Sequence, residues 1–184
     1  MHHTLKLYNR NRPLVLKGYI FFAGWTRIPF IGGLVRRVAN IWGGNMTSAY
    51  ALNLNEAYAI IDASSGLALG PCTCRETFKN CEHPLNAELL IGINHEFAAD
   101  HGKEFREVSK QKAKEIIRDC HDRGLLHTII KCRQDYYALC NCCRCCCVPL
   151  RLSKDFGIGK ALSRDNTILE QFKESLQRCE MTGK

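Results

Sequence analysis

The chain has 184 residues, 46% of them hydrophobic and 24% charged, with 12 cysteines and a formal net charge of +8. These proportions lie near globular averages and exclude disorder of the whole chain, and no apolar run approaches the roughly 18 residues a membrane-spanning helix needs. The length suits a single core of ordinary size, or a core with a detachable terminal arm.

Residues 1–55 carry Lys6, Arg10, Arg12, Lys17, Arg27, Arg36 and Arg37 and no acidic residue, whereas the remainder sets 19 basic against 18 acidic side chains. Nearly all of the net charge therefore sits in the first third. The same stretch is aromatic and glycine-rich, GYIFFAGWTRIPFIGGLVRRVANIWGGN, and Pro29 with the pairs Gly32-Gly33 and Gly43-Gly44 predicts short segments such as Leu34 to Trp42. Residues 1–52 read as a basic aromatic arm lying on the core. A sharper reading makes the arm a docking element, with Phe21, Phe22, Trp25 and Trp42 meeting a lipid interface or a partner while arginines meet acidic charge. Nucleic acid is a poor fit, because no helix-turn-helix, zinc-finger or aromatic sheet motif accompanies the basic residues. The apolar stretch from Leu14 to Trp25 contains Lys17 and runs into Thr26 and Arg27 without a small-residue cleavage site. The expected location is cytoplasmic, extending to the inner membrane surface.

From residue 53 the sequence repeats itself. Asn53 with Glu56 forms a helix start, Ala57, Ile60, Ile61 and Ser64 share one face, and Gly66 ends the helix. Ser109 caps a second helix with Ala113, Ile116, Ile117 and Cys120 on one face, ended by Gly124. Each Gly-Leu leads into a strand-like stretch and then a Cys-x-Cys pair, Cys72/Cys74 in one copy and Cys140/Cys142 in the other. Between the copies Leu85, Leu89, Ile93 and Phe97 recur every fourth residue, which predicts a core-facing helix. A final helix is predicted from the Thr167/Glu170 capping pattern and the stripe Leu169, Phe172, Leu176 and Cys179. The fold class that follows is α+β: two helix-strand-cysteine units around a metal cluster site, with the N-terminal arm (1–52), a cysteine-rich cluster-binding domain (53–160) and a C-terminal helix (161–184).

Nine of the cysteines fall in two windows, Cys72, Cys74 and Cys81 in CTCRETFKNCEH, and Cys140, Cys142, Cys143, Cys145, Cys146 and Cys147 in CNCCRCCC. A disulfide scaffold would spread its cysteines along the chain, and in a reducing compartment clustered thiols serve metal or redox chemistry. Adjacent thiols point in different directions, so the run divides between sites. Zinc meets the spacing in part, through Cys140/Cys143 and Cys142/Cys145, but nine sulfurs exceed the four one ion needs. One or two 4Fe-4S clusters accommodate the surplus, with zinc as the alternative. Arg75 and Arg144 adjoin the two windows and would offset the negative charge of a thiolate-bound cluster. Cys120 and Cys179 read as small buried hydrophobes, and Cys132 is ambiguous. HEFAADH, His95 to His101, spaces its histidines six apart, so it does not match the zinc-protease pattern.

These residues carry a resemblance. The segments LNEAYAIIDASSGLALGPCTCRETFKNC, SKQKAKEIIRDCHDRGLLHTI and LCNCCRCCC resemble a group of ferredoxin-like 4Fe-4S proteins, mostly from anaerobic bacteria and archaea, over roughly residues 27–155. The C-x2-C-x2-C-x3-C-P segment that continues longer chains of the group is missing here, since only Cys179 follows Cys147. The resemblance implies an electron carrier or redox subunit, serving a partner redox enzyme, in preference to a stand-alone enzyme. The rival readings are a zinc-binding interaction module and an enzyme that binds substrate at an open cluster iron.

Overall fold

A computed structural model describes residues 11–45, 47–91, 105–132 and 135–182. Helix α1 (Arg12–Gly24) opens with Pro13 in its first turn, where the missing N–H has no intrahelical partner to lose. A single 3-10 turn, Trp25–Arg27, leads to α2 (Gly32–Asn45). The corner between them depends on Gly32, where a Cβ would lie 2.2 Å from the Thr26 carbonyl oxygen. Helix α2 runs farther than the glycine pairs predict. They lie near its two ends, where a break costs least.

Strand β1 (Thr47–Leu52) precedes α3 (Leu54–Ala63), β2 (Leu67–Pro71), the short α4 (Thr73–Phe78) and β3 (Asn86–Ile91). After β4 (Arg106–Glu107) come α5 (Lys110–Asp122), the hairpin β5 (Leu126–Cys132) and β6 (Asp135–Cys142), α6 (Val148–Phe156), β7 (Leu162–Ser163) and α7 (Ile168–Thr182). One seven-stranded sheet takes the order β4-β2-β3-β6-β5-β1-β7, antiparallel throughout except for the parallel pair β1 and β7. The chain is thus α+β, and its arm contributes a strand to the sheet.

Local signals place the helix starts. The Asn53 side chain accepts from the Glu56 N–H at 2.9 Å while Glu56 accepts from the Asn53 N–H at 2.8 Å, a reciprocal capping box. Ser109 accepts from the Lys112 N–H, and Gly124, at φ 74, ends α5 in the left-handed conformation. The helix expected from Leu85 onward is instead β3. Its central position buries both faces, so Ala87, Leu89 and Leu90 are all inaccessible, and such a strand reads as an unbroken apolar run without a period of two. Ile93 and Phe97, together with the 95–101 segment, lie outside the described residues.

Helices α3, α5 and α7 cover one face of the sheet, where Ile60, Ile61, Leu89, Ile117, Ile129 and Phe172 form the main core. On the other face Ala49, Ala68, Leu90, Ile130 and Ala138 form a thinner layer, under α1, α2 and α6. Alanines there leave space. A cavity of about 580 Å³ lies between that layer and the arm helices, with Leu16, Phe22, Val35 and Trp42 on its wall. Phe172, 1% exposed and edge-on to Tyr136 at 5.9 Å, anchors α7 on the opposite side. Phe172→Ala should cost about 3–5 kcal/mol in urea unfolding, and a loss under about 1 kcal/mol would contradict this packing.

Candidate metal centre

The pleat of β6 decides where its cysteines go. Side chains alternate between faces along a strand, so Cys140 and Cys142 turn toward the arm while Asn141, between them, turns toward the helices. Beyond the strand the chain makes a tight turn, closed by the Cys147 N–H donating to the Cys143 carbonyl at 3.0 Å, and this turn carries Cys143, Cys145 and Cys146 round to the helical side. Cys81 arrives from the other window. Helix α4 stops at Lys79, whose φ of 49 swings the chain out, and the Asn80 side chain then donates to the Cys145 carbonyl at 2.9 Å. The Sγ atoms of Cys81, Cys143, Cys145 and Cys146 all lie within 4.8 Å of one another, with Cys81 3.6 Å from Cys143 and 3.7 Å from Cys146. This quartet can bind a metal ion.

The surroundings act in opposite directions on the thiols of the quartet. Burial pushes the Cys143 thiol up, but the Arg75 guanidinium, the Cys145 thiol and the Cys146 N–H outweigh it and bring the value down to about 7. Burial raises Cys146 to about 11, against the pull of the Asn80 N–H, and Cys145 is raised, first by desolvation and then by its thiol neighbours. Thiols that oppose one another's ionisation in this way are the ones a metal cation discharges.

Arg75 is 3% exposed and holds the two windows together. Its guanidinium donates to the Pro84 carbonyl, beside the first window, and to the Asn141 carbonyl within the second. Its Nε is buried with no hydrogen-bond partner among the described residues. Arg144 lies elsewhere: its side chain is 79% exposed and stands 3.9 Å from Asp155.

The other cysteines take distinct places. Cys72, Cys74, Cys140, Cys142 and Cys147 line the cavity on the arm side of the sheet, and Cys74 also packs against the group that holds Cys143 and Cys146. Cys120 is buried on α5 and raised to about 11 by burial, in keeping with a small packed hydrophobe. The side chains of Cys132 and Cys179 lie outside those described.

Two polar residues near the site, Asn141 and Glu88, escaped the sequence reading. Asn141, fully buried, donates to the Ala87 carbonyl at 2.9 Å and pairs with His127 Nδ1 at 2.7 Å, stitching β6 to both neighbouring strands under the cysteine turn. His127 stacks on His121. Glu88, on the arm face of β3, pairs with Arg12 at 2.6 Å and takes the Thr73 N–H at 3.3 Å. A single polar residue within an otherwise apolar stretch, as in AELLI or YALCNC, was the available signal, since it needs a partner to be buried at all.

No protein-family model matches the chain, and no curated protein or solved structure is significantly similar to it. The site is therefore argued from its own geometry.

Burial lowers the pKa of His127 from the ordinary 6.5, opposed by its bond to Asn141 and assisted by the charge of His121. A histidine kept neutral in the folded chain gains its proton more readily once unfolded, so its stabilising contribution is complete above about pH 6.5 and is lost as pH falls toward the folded value. Urea unfolding should show stability falling below pH 6.5 by up to about 1.4 kcal/mol per pH unit from this group, with His127→Gln removing that component. Identical acid profiles for the two chains would contradict the assignment.

Proposed function

We propose that this protein is a metal–thiolate protein serving one-electron transfer to or from a partner protein, with Cys81, Cys143, Cys145 and Cys146 around a single tetrahedral ion. The spacing of the quartet carries the metal reading. With metal–sulfur bonds of about 2.3 Å, a tetrahedron has sulfur–sulfur edges of about 3.8 Å, close to the 3.6 and 3.7 Å contacts of Cys81. A 4Fe-4S core holds its four thiolates farther apart, because the core itself spans several ångströms. Zinc fits these four sulfurs first. Binding there would clamp the Cys81 loop to the 143–146 turn and would contribute directly to folding.

Zinc does not carry electrons, so the redox half of the reading rests on other observations. Nine cysteines in two windows exceed what one ion uses, and GPCTCR with CNCCRCCC resembles the ferredoxin-like iron-sulfur group. A non-redox zinc interaction module is the rival, favoured by the quartet spacing alone. Metal analysis of anaerobically purified protein separates them. The expected result is iron together with about one zinc per chain, and only the zinc is lost in Cys81→Ser/Cys145→Ser. Zinc without iron would leave only the interaction module, and a metal-free chain would overturn both.

For the arm, the proposed surface is an anionic bilayer. Of the twelve large hydrophobic side chains exposed among the described residues, eleven lie between Leu14 and Trp42, and Phe30 at the tip is fully exposed. Lys17, Arg27, Arg36 and Arg37 are exposed beside them, with no acidic residue in the arm. Apolar side chains entering the headgroup boundary and basic ones meeting anionic lipid, at about 1 kcal/mol each, is the pattern of an interfacial helix pair. No helix among the described residues is long and apolar enough to cross a membrane. Co-sedimentation with phosphatidylglycerol vesicles should be strong at low salt, and Phe30→Ser with Arg36→Glu should weaken it at least about tenfold. Equal binding to neutral vesicles, or no effect of the substitutions, would exclude this surface.

A further inference from the structure

We infer that Cys72, Cys74, Cys140, Cys142 and Cys147 form a second metal site, on the opposite face of the sheet from the quartet, that holds a polynuclear iron-sulfur cluster at the wall of the cavity beneath the arm helices. The inference builds on the metal–thiolate reading and gives its electron-transfer half a location.

Four separate pieces of backbone bring these sulfurs together. Cys72 follows β2, Cys74 lies in the first turn of α4, Cys140 and Cys142 project from the arm face of β6, and Cys147 precedes α6. All five line the same cavity of about 580 Å³. Cys147 is central, since its thiol interacts with those of both Cys142 and Cys74. The Val148 N–H, at the start of the nine-residue α6, is directed to Cys74, and Thr128 Oγ1 touches the Cys142 sulfur at 3.3 Å.

Packing alone does not account for this set. Cys72 and Cys147 both occupy helix N-cap positions, where Ser, Thr, Asp or Asn would normally supply a capping oxygen; the Arg75 N–H is directed to the Cys72 sulfur, and Cys147 makes no side-chain cap hydrogen bond among the described residues. Sulfur at both caps, facing the same cavity as three more thiols, is the composition of a soft-metal site.

The arrangement fits a larger core than a single ion. The quartet is the group among the described residues whose donor atoms all draw within 4.8 Å, while the second set is ranged along a wall. Thiolates spread in this way suit a cluster, whose irons and sulfides occupy the space between them. The cavity has ample room for the eight atoms of a 4Fe-4S core. Its remaining walls include the buried Leu16, Ala49 and Ile130, which would keep water from that side of the core, and the Arg12–Glu88 pair stands at the same cavity. Cys74, Cys142 and Cys147 are the inner three ligands, and Cys72 or Cys140 completes the four.

Two double variants of the full chain, purified anaerobically, test the division. Cys74→Ser/Cys142→Ser should lose iron, acid-labile sulfide and brown colour while keeping the single ion of the quartet. Cys81→Ser/Cys145→Ser should do the reverse. Iron and sulfide lost from the quartet variant and retained in the other would overturn the second site and leave metal binding by the quartet intact. If the cavity variant does not fold by circular dichroism, the unaltered chain decides. About four irons and four sulfides beside the tetrahedral ion support the site, and an absence of sulfide overturns it.

Discussion

A buried guanidinium holds this molecule's chemistry in place. Arg75 spans the gap between the two cysteine windows, donating to the Pro84 carbonyl on one side and the Asn141 carbonyl on the other. A charge so deeply buried is tolerated only with compensating partners. Carbonyl oxygens supply part of the compensation and the Cys143 sulfur another part, which is why Cys143 is pulled down despite its burial. The cation and the thiolates are thus mutually stabilising: each makes the other's burial less costly. Without Arg75 the tie between the loop bearing Cys81 and the turn bearing Cys143, Cys145 and Cys146 would rest on the Asn80–Cys145 hydrogen bond.

The sheet supplies the second constraint. Period-two alternation sends Cys140 and Cys142 to one face and Asn141 to the other, and the following turn reverses direction, so one dense run of sulfurs is sorted onto two sides of a rigid strand. Asn141 then serves as the pin of that strand end, bonded to β3 through Ala87 and to β5 through His127. Rigid support of this kind matters at a metal site, because ligands held by surrounding hydrogen bonds need little rearrangement when the ion binds. The arm is the opposite case. It packs few buried residues, Leu16 and Ala23 among them, and turns most of its large apolar side chains outward.

Much of the local structure was legible from sequence because the signals are local. The Asn53 capping box, the Ser109 cap and the left-handed Gly124 each involve residues a few positions apart, and the α+β class follows from them. Strand β3 was misread as a helix because burial on both faces erases the alternation that marks a strand, and the fourth-residue spacing of its leucines was coincidental. The windows themselves were legible, as was the impossibility of one ion using every sulfur. The partition was not, since Cys81 meets Cys143 across 62 positions through a path set by α4, Lys79 and Arg75. Arg75 could be singled out beside its window, whereas Arg144, chosen on the same argument, points into solvent because it occupies the outer corner of the turn.

The account turns on whether four sulfurs from these two loops close on one ion. X-ray absorption at the zinc edge of the purified chain addresses this directly. Four sulfur scatterers at about 2.3 Å, with no metal neighbour in the next shell, are what the quartet geometry predicts. A first shell dominated by nitrogen or oxygen would show that the ion sits elsewhere and would contradict it.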